Sequence, residues 1–555
     1  MTTTGAQPSG TATAFDLLRD PVDLTVTAAL DAAAQRRPDA IGWVFDDRSV
    51  SFAEMQQLSN QVAEGLAELG VGEDDVVALW TPNLLEWAAT AFASYRLGAV
   101  VTSLNTRFKA FEAAHVLEHS QAKVLVVQPQ FLNIDFEKIL TDAVPDLAVS
   151  EEGIVTSSVL PHLERLVVVE PGRLGGLPWA SLVRDSVTQS FPEVGDAGSP
   201  ALLQYTSGTT SRPKGALLSH KFMVNYMYEV YARLGVRVGE AILNTQPFYH
   251  IGGSCGLAVP LVLDCILVSP SHYDAERVLT LIEREKCVAR SGNPTMYLME
   301  LEHPRFAEFD LSSLRSGWTG GPPALLDRIR DGFGGIELVQ LYGATEGGGT
   351  AGRIDEPWEI RRSNCGRPIT GTEVKLVDPE TRVEVETGAV GEICIRGWDR
   401  MIGYHRADEL NSQVIDSEGW LRMGDLGRFD GEGYLHFVGR LKDMIRVGGE
   451  NTSAEEVESI LQEHPEIHQS VAIGVEDERL GEAVMAIVQR TEGSELTAAD
   501  VIEHCRVRAA NFRVPRHVRF VEQWPTNGSG KIVKQTLRDM FGDVTAPAAN
   551  QGHLA

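Results

Sequence analysis

The sequence predicts an α/β fold: a large N-terminal domain of doubly wound sheets, followed by a small, mobile α+β C-terminal domain. Three observations predict it. From residue 26 onward, short β-rich apolar runs alternate with segments of 3.6-residue periodicity, which implies parallel sheet covered by helices on both faces. At 555 residues the chain is long enough for a large core and for more than one domain. After Arg440 the character of the chain changes to a compact run of elements about 100 residues long, within the usual domain range.

Taken in order, the first fourteen residues are Thr/Ala/Gly-rich, with neither a basic n-region nor an apolar h-region, and residues 1–25 read as a disordered leader. A helix is expected over about 26–36 and a strand over Ile41–Phe45. Ser51-Phe-Ala-Glu54 has the form of a capping box, opening a helix that stops at Gly70. VVALWT, the helix NLLEWAATAFASYRLG, AVVTSLN, the helix FKAFEAAHVLEHS and KVLVVQ continue the alternation. Residues 145–195 are Pro/Gly-punctuated and read as a connection carrying one strand, RLVVVE. A second round follows: a helix from Ser219, the segment NTQPFYHIGG, an apolar run to Val268 and the helix DAERVLTLIEREK. The large domain is placed at 26–438, the small one at 439–543 with a hinge at 438–443, and residues 544–555 read as a disordered tail. In the small domain, Ser453-Ala-Glu-Glu456 opens a helix, and HQSVAIGVED, GEAVMAIVQR and HVRFVEQW are strands around the helix TAADVIEHCRVRAA.

Composition excludes several function classes. A net charge of −28 argues against a nucleic-acid or anionic-membrane surface. Six scattered cysteines without a CxxC pair indicate neither a disulfide framework nor a zinc site, and a reducing cytoplasm fits them. The longest apolar run, AVPLVLDCILV, is short and interrupted by Asp264, so no transmembrane helix is expected.

Four stretches carry chemistry. YTSGTTSRPKG, Tyr205 to Gly215, is a donor-rich, cationic loop between two short strands, ALLQYT and GALLSH. Glycine-freed N–H groups can converge on phosphate oxygens there while Lys214 acts as a mobile point charge. It is not a Walker loop, because Pro213 precedes the lysine. In LVQLYGATEGGGT a strand runs into Gly343, which puts Thr345 and Glu346 at a strand's carboxyl end, where ligands bind in open α/β sheets. Glu346 suits Mg²⁺ and Thr345 a phosphate oxygen, against the alternative of a solvated loop glutamate. Asp425, flanked by glycines, is placed either to accept ribose hydroxyls or simply to make a turn. Lys531, in PTNGSGKIVKQTL, sits on a flexible turn that domain movement can insert into a site, against the alternative of an ordinary solvent-facing lysine.

In this order the four stretches resemble the adenylate-forming superfamily, which includes acyl-CoA synthetases, aryl-CoA ligases, nonribosomal-peptide adenylation domains and beetle luciferases. YTSGTTSRPKG is similar to its phosphate loop, YGATE to its nucleotide-binding strand end, GDLGRFDGEGYLHFVGRLKD to its ribose and hinge region, and GSGKI to its catalytic-lysine turn. The resemblance covers about residues 25–540. It implies ATP, Mg²⁺ and coenzyme A as co-substrates or cofactors. By resemblance, Thr206, Ser207, Gly208, Thr209, Thr210 and Lys214 hold the β- and γ-phosphates. Tyr342 stacks on adenine, with Gly343 beside it and Gly320, Gly321 and Pro322 forming the opposite wall. Thr345 and Glu346 manage the α-phosphate and metal. Asp425 takes the ribose, Arg440 lies near ribose and phosphates, Lys442 is the hinge residue, and Lys531 bridges the substrate carboxylate and the α-phosphate. Gly448 and Gly449 line a pantetheine tunnel after domain rotation.

Two departures from the pattern are Ser211, where many relatives have glycine, and Asn527-Gly528 in place of Thr-Pro. Neither removes a charged catalytic group. The acyl pocket is expected between Pro247–Gly253, SGWTGG and the residues after Glu346, with His250 lining or gating it or serving as a buried structural histidine. Trp318 shortens that pocket if its ring points inward. The substrate is read as a short, medium or aromatic carboxylate. Activation of nitrite for an aryl amine, loading of a separate carrier protein and a nucleotide-binding regulator are the competing readings. A cytoplasmic protein is expected, with no nucleic-acid or membrane partner and with room for a homodimer.

Overall fold

A computed structural model describes residues 18–188, 191–206, 213–447, 450–477, 479–526 and 532–542. Two large sheets form the body of the molecule. The first runs, edge to edge, through Glu337–Val339, Ser316–Trp318, Ala289–Ser291, Ala241–Leu243, Ile266–Ser269, Ile41–Phe45 and Arg48–Ser51. The second runs through Leu177–Pro178, Arg165–Val168, Val124–Val127, Val76–Trp80, Val100–Ser103, Pro200–Thr206, Lys214–Ser219 and Gly403–Tyr404. Within each, strands linked by helical crossovers pair in parallel, as the alternating pattern requires. The purely parallel expectation is corrected at the edges: Arg48–Ser51, Lys214–Ser219 and Gly403–Tyr404 all pair antiparallel. Two of these strands follow short connections, and a hairpin needs no crossover.

Strand alternation assigns each face to a core. In Val76–Trp80, Val77 and Leu79 face the central core shared by the two sheets, whereas Ala78 and Trp80 face an outer core covered by Phe136 and Leu117. The helix His220–Arg233, capped by the Ser219 hydroxyl, runs through the central core and is buried along its whole length. The first helix, Val26–Arg36, starts where the sequence predicts it, with the Thr25 hydroxyl accepting from Ala28 N–H. The leader expected through residue 25 is held from Val22 onward, because Val22 exchanges backbone hydrogen bonds with the Asn225 amide. Of the two predicted capping boxes, Ser453/Glu456 is reciprocal. At Ser51 only the hydroxyl half forms, because the Glu54 carboxylate pairs with Arg48 instead.

The small domain has its own sheet, Glu450–Ser453, Met444–Val447, Gly481–Arg490 and Ile467–Asp477, with His517–Phe520 added in parallel to Gly481–Arg490. Its long central strand again alternates: Val484, Ala486 and Val488 pack under Ala454–Gln462 and Ala498–Arg506, whereas Ala483, Met485 and Ile487 pack against Leu537.

Candidate active site

The two short strands expected on either side of the phosphate loop, Pro200–Thr206 and Lys214–Ser219, pair antiparallel as a hairpin, with Thr206 directly opposite Lys214. Ser207, Gly208, Thr209 and Thr210 lie outside the described residues. The hairpin is braced from behind. His119 Nδ1 is 2.8 Å from the Tyr205 hydroxyl, and His115 Nε2 is 3.0 Å from the Pro213 carbonyl. A Cβ at Gly215 would come within 2.7 Å of Leu203 Cδ1 and 3.1 Å of the Tyr205 ring, so the loop returns only through a residue without a side chain.

The continuous strand expected from LVQLY is broken at Gln340. Glu337–Val339 completes the seven-stranded sheet, whereas Leu341–Ala344 turns away to pair with Gly347–Ala351. Gln340 is buried, its Oε1 accepting from Gly321 N–H at 3.1 Å and its amide donating to the Arg362 carbonyl at 3.0 Å. One side chain thus ties the Gly320–Pro322 segment to the strand that carries Tyr342. Gly320 is exposed, and Pro322 caps the helix Pro323–Gly332. Thr345 and Glu346 lie, half-buried, in the turn between the two short strands. The tight packing behind that turn explains Gly343 and Gly348: a Cβ on the first would stand 2.4 Å from the Tyr226 hydroxyl, and on the second 2.6 Å from Asp399 Oδ2.

Tyr342 donates its hydroxyl to Asp425 Oδ2 at 2.9 Å and stacks on Phe437 with centroids 5.9 Å apart. Only 6% of Tyr342 is exposed, and burial together with Asp425 raises its phenol well above the usual range. Phe437, which stacks on Tyr342, is 38% exposed. Sequence reasoning missed this partner of Tyr342, because a phenylalanine in an alternating strand carries no signal of its own. Asp425 lies opposite Arg440 on adjacent strands, with Arg440 Nε 3.6 Å from Oδ1. Burial raises the Asp425 pKa, and the charge of Arg440 works against that rise. Asp425 also feels Glu346 and Lys442, so the ribose candidate, the metal candidate and the hinge residue share one electrostatic site. Lys442, in the turn Leu441–Asp443, has its ammonium pKa lowered by desolvation and by Arg440. His250 caps the short helix Ile251–Ser254, its Nδ1 accepting from Gly252 N–H at 3.4 Å. Gly448, Gly449 and Lys531 lie outside the described residues.

Tyr404, a second residue that sequence reasoning missed, joins two of the centres. Its hydroxyl donates to Glu346 Oε1 at 2.9 Å, and its ring lies under Lys214 Nζ at 5.5 Å. Among the described residues Tyr404 is the hydrogen-bond partner of the Glu346 carboxylate, and a carboxylate oxygen fits a hard cation such as Mg²⁺. Among the described residues no cluster of three or more His, Cys, Asp or Glu could hold a metal. A cation at Glu346 would therefore complete its shell with phosphate oxygens and water, as Mg²⁺ usually does.

Beneath the glycine strip, Asp399 is fully buried and neither carboxyl oxygen has a hydrogen-bond partner among the described residues. Burial pushes its pKa up to about 6. Its contribution to stability is complete below its unfolded value near pH 4 and is lost as pH rises through about 6, a cost of roughly 3 kcal/mol at neutral pH. Asp399→Asn is expected to raise the melting temperature at pH 7.5 and to leave it nearly unchanged at pH 4, as read by calorimetry at both pH values.

The profile described as "AMP-binding enzyme" matches residues 30–405, and "AMP-binding enzyme C-terminal domain" matches residues 456–531. The medium-chain acyl-CoA ligase ACSF2, mitochondrial, of Danio rerio is 34% identical over 532 residues, covering 93% of this chain and 88% of that protein. ATP-bound MatB from Rhodopseudomonas palustris superposes with a TM-score of 0.83 at 25% identity, covering 95% of this chain and 100% of that one. The anthranilate CoA ligase AuaEII, in complex with anthranoyl-AMP, superposes with a TM-score of 0.81 at 27% identity, covering 95% and 99%. With both profiles matched in order and the phosphate hairpin, Glu346 turn and Asp425–Arg440 pair joined in one site, the chain belongs to the AMP-binding, adenylate-forming enzyme family.

Proposed function

We propose that this protein is an AMP-forming acid–thiol ligase that adenylates a carboxylic acid of medium length or shorter and passes the acyl group to coenzyme A. The observation that carries the reading is the direct linkage of Lys214, Tyr404 and Glu346 beside the Tyr342–Asp425–Arg440 cluster, which sets a polyphosphate grip next to a nucleoside site. In the first half-reaction a carboxylate oxygen attacks the α-phosphorus of ATP, the bond to the bridging oxygen breaks, and pyrophosphate leaves. Two anions must meet, so the work is positioning and charge stabilisation. Lys214 and the hairpin hold the departing phosphates, Asp425 and Arg440 fix the ribose, and Lys531 draws the carboxylate to the α-phosphate. Glu346 would hold Mg²⁺, which would neutralise part of the developing charge. In the second half-reaction the small domain turns about Lys442, the coenzyme A sulfur attacks the acyl carbon, and AMP leaves. The turn of the small domain withdraws Lys531 and gates the adenylate from water during the exchange.

Substrate length rests on Trp318. A Cβ on its neighbour Gly317 would meet the Tyr297 hydroxyl at 2.3 Å, on the outer face of the seven-stranded sheet. Alternation therefore turns Trp318 to the inner face, where it packs on the central core. We read an indole on that face as the group that limits the length of the acid. The medium-chain name of the Danio rerio relative supports the same class.

The test is pyrophosphate release against a panel of carboxylates from two to sixteen carbons, aryl acids and nitrite, with and without coenzyme A, with products read by mass spectrometry. The expected result is an acyl-CoA from a medium or shorter acid. Turnover only with nitrite and an aryl amine would overturn the reading. In the same assay Trp318→Ala is expected to raise kcat/KM for acids of twelve or more carbons about tenfold relative to the shorter ones, on the order of one to two buried methylenes.

A further inference from the structure

We propose that Tyr404 is a positioning residue of the adenylation half-reaction: it orients the Glu346 carboxylate for the metal–phosphate complex and parks the Lys214 ammonium beside it until ATP arrives. The inference rests on the adenylating reading of this site and names a residue that the four sequence motifs leave out.

The segment Asp399–His405 stitches the two centres together through its backbone. Met401 N–H donates to the Glu346 carbonyl at 2.7 Å, and Gly348 N–H donates to the Asp399 carbonyl at 2.8 Å. On the other side Ile402 N–H donates to the Leu217 carbonyl and His405 N–H to the Gly215 carbonyl, both at 2.8 Å. Tyr404 pairs with Ala216, two residues from Lys214 on the same strand. Its side chain is thereby delivered into the gap between the phosphate hairpin and the Glu346 turn.

The phenol divides its two ends between two charges. The hydroxyl donates to Glu346 Oε1 at 2.9 Å and so restrains the carboxylate's rotation, with no hydrogen bond to Oε2 among the described residues. The ring face receives Lys214 at 5.5 Å, an attraction that asks for no hydrogen bond and is surrendered when phosphate oxygens offer themselves. Without the ring, Lys214 and Glu346 would be free to pair directly, and each ATP would first have to break that pair.

Tyr404→Phe separates the two functions, since it removes the hydroxyl and keeps the ring. ATP binding to the full-length protein, measured by calorimetry without any acid, is expected to weaken about tenfold in the presence of excess Mg²⁺ and to stay unchanged with EDTA. Tyr404→Leu is expected to weaken binding in both conditions. Conversion of supplied acyl-AMP and coenzyme A to acyl-CoA needs neither the metal nor pyrophosphate, and is expected to run at the wild-type rate in Tyr404→Phe. In a Glu346→Gln background, the further change Tyr404→Phe is expected to add less than twofold to the loss of MgATP affinity, because the oriented carboxylate is already gone. Equal affinities of wild type and Tyr404→Phe with Mg²⁺, equal losses with and without metal, or additive losses in the double variant would each overturn the proposal. The binding comparison is independent of which acid is used, so it stands apart from failure of the carboxylate panel.

Discussion

Lys531→Ala is expected to lower pyrophosphate release with acid and ATP by about 100- to 1,000-fold, the usual cost of removing one preorganised group from a transition state that develops charge. The same variant is expected to make acyl-CoA from supplied acyl-AMP at close to the wild-type rate. The structure gives this split a mechanical basis. Thr526 and Ile532, on either side of the lysine turn, pair antiparallel, and the helix Lys534–Phe541 follows at once. That helix is tied to the small domain by Lys534, 2.9 Å from Glu458, and by Arg538, 2.8 Å from Asp443. Asp443 belongs to the turn that also holds Lys442, so the base of the lysine turn and the hinge form one charged assembly. In the proposed cycle, rotation about Lys442 would move this base and withdraw Lys531. Paired assays of the two half-reactions check this, and an equal loss in both would contradict a two-conformation cycle.

Glu300→Ala is expected to destabilise the large domain by about 3–5 kcal/mol. Arg290 and Glu300 are ion-paired with neither side chain exposed. The guanidinium also lies 4.0 Å from the Tyr297 ring centroid, and the Tyr273 hydroxyl donates to Glu300 Oε1 at 3.3 Å. Removing the carboxylate leaves a cation in a core of Phe333, Ile329 and Tyr297 with the Tyr297 ring and the Ser291 carbonyl, 3.3 Å from Nε, to offset its charge among the described residues. Replacing both partners, Arg290→Met with Glu300→Leu, removes the charge together with its partner and is expected to recover most of the loss. Urea denaturation followed by tryptophan fluorescence measures both variants, and a single-variant loss below about 1 kcal/mol would show that the pair is dispensable. Arg290 belongs to the strand Ala289–Ser291, which pairs with Ser316–Trp318, so the same variant is expected to blur the acid-length profile proposed for Trp318.

Much of this molecule was legible in its residues because the determining forces are local. Val26–Arg36, Ile41–Phe45 and Gly481–Arg490 begin and end where periodicity and capping place them. The phosphate hairpin, the Ser453 cap and the change of character after Arg440 depend on neighbours a few positions apart. The misses are equally physical. LVQLY has the composition of one strand, and only the buried bonds of Gln340 to Gly321 and Arg362 bend it into two sheets. Trp318 has no parity in a sequence, and its direction follows from the Tyr297 hydroxyl behind Gly317.

The sequence by itself determined the α/β class, the family and the charged groups that a phosphate-activating reaction needs, because each of those is written in short runs whose chemistry does not depend on distant partners. Only the tertiary structure decided how the groups are held. Tyr404 reaches Glu346 across 58 positions, and Tyr342 reaches Asp425 across 83. Such contacts follow from strand pairing and burial, in which a tyrosine without a motif, on the edge strand Gly403–Tyr404, is brought between two charged centres.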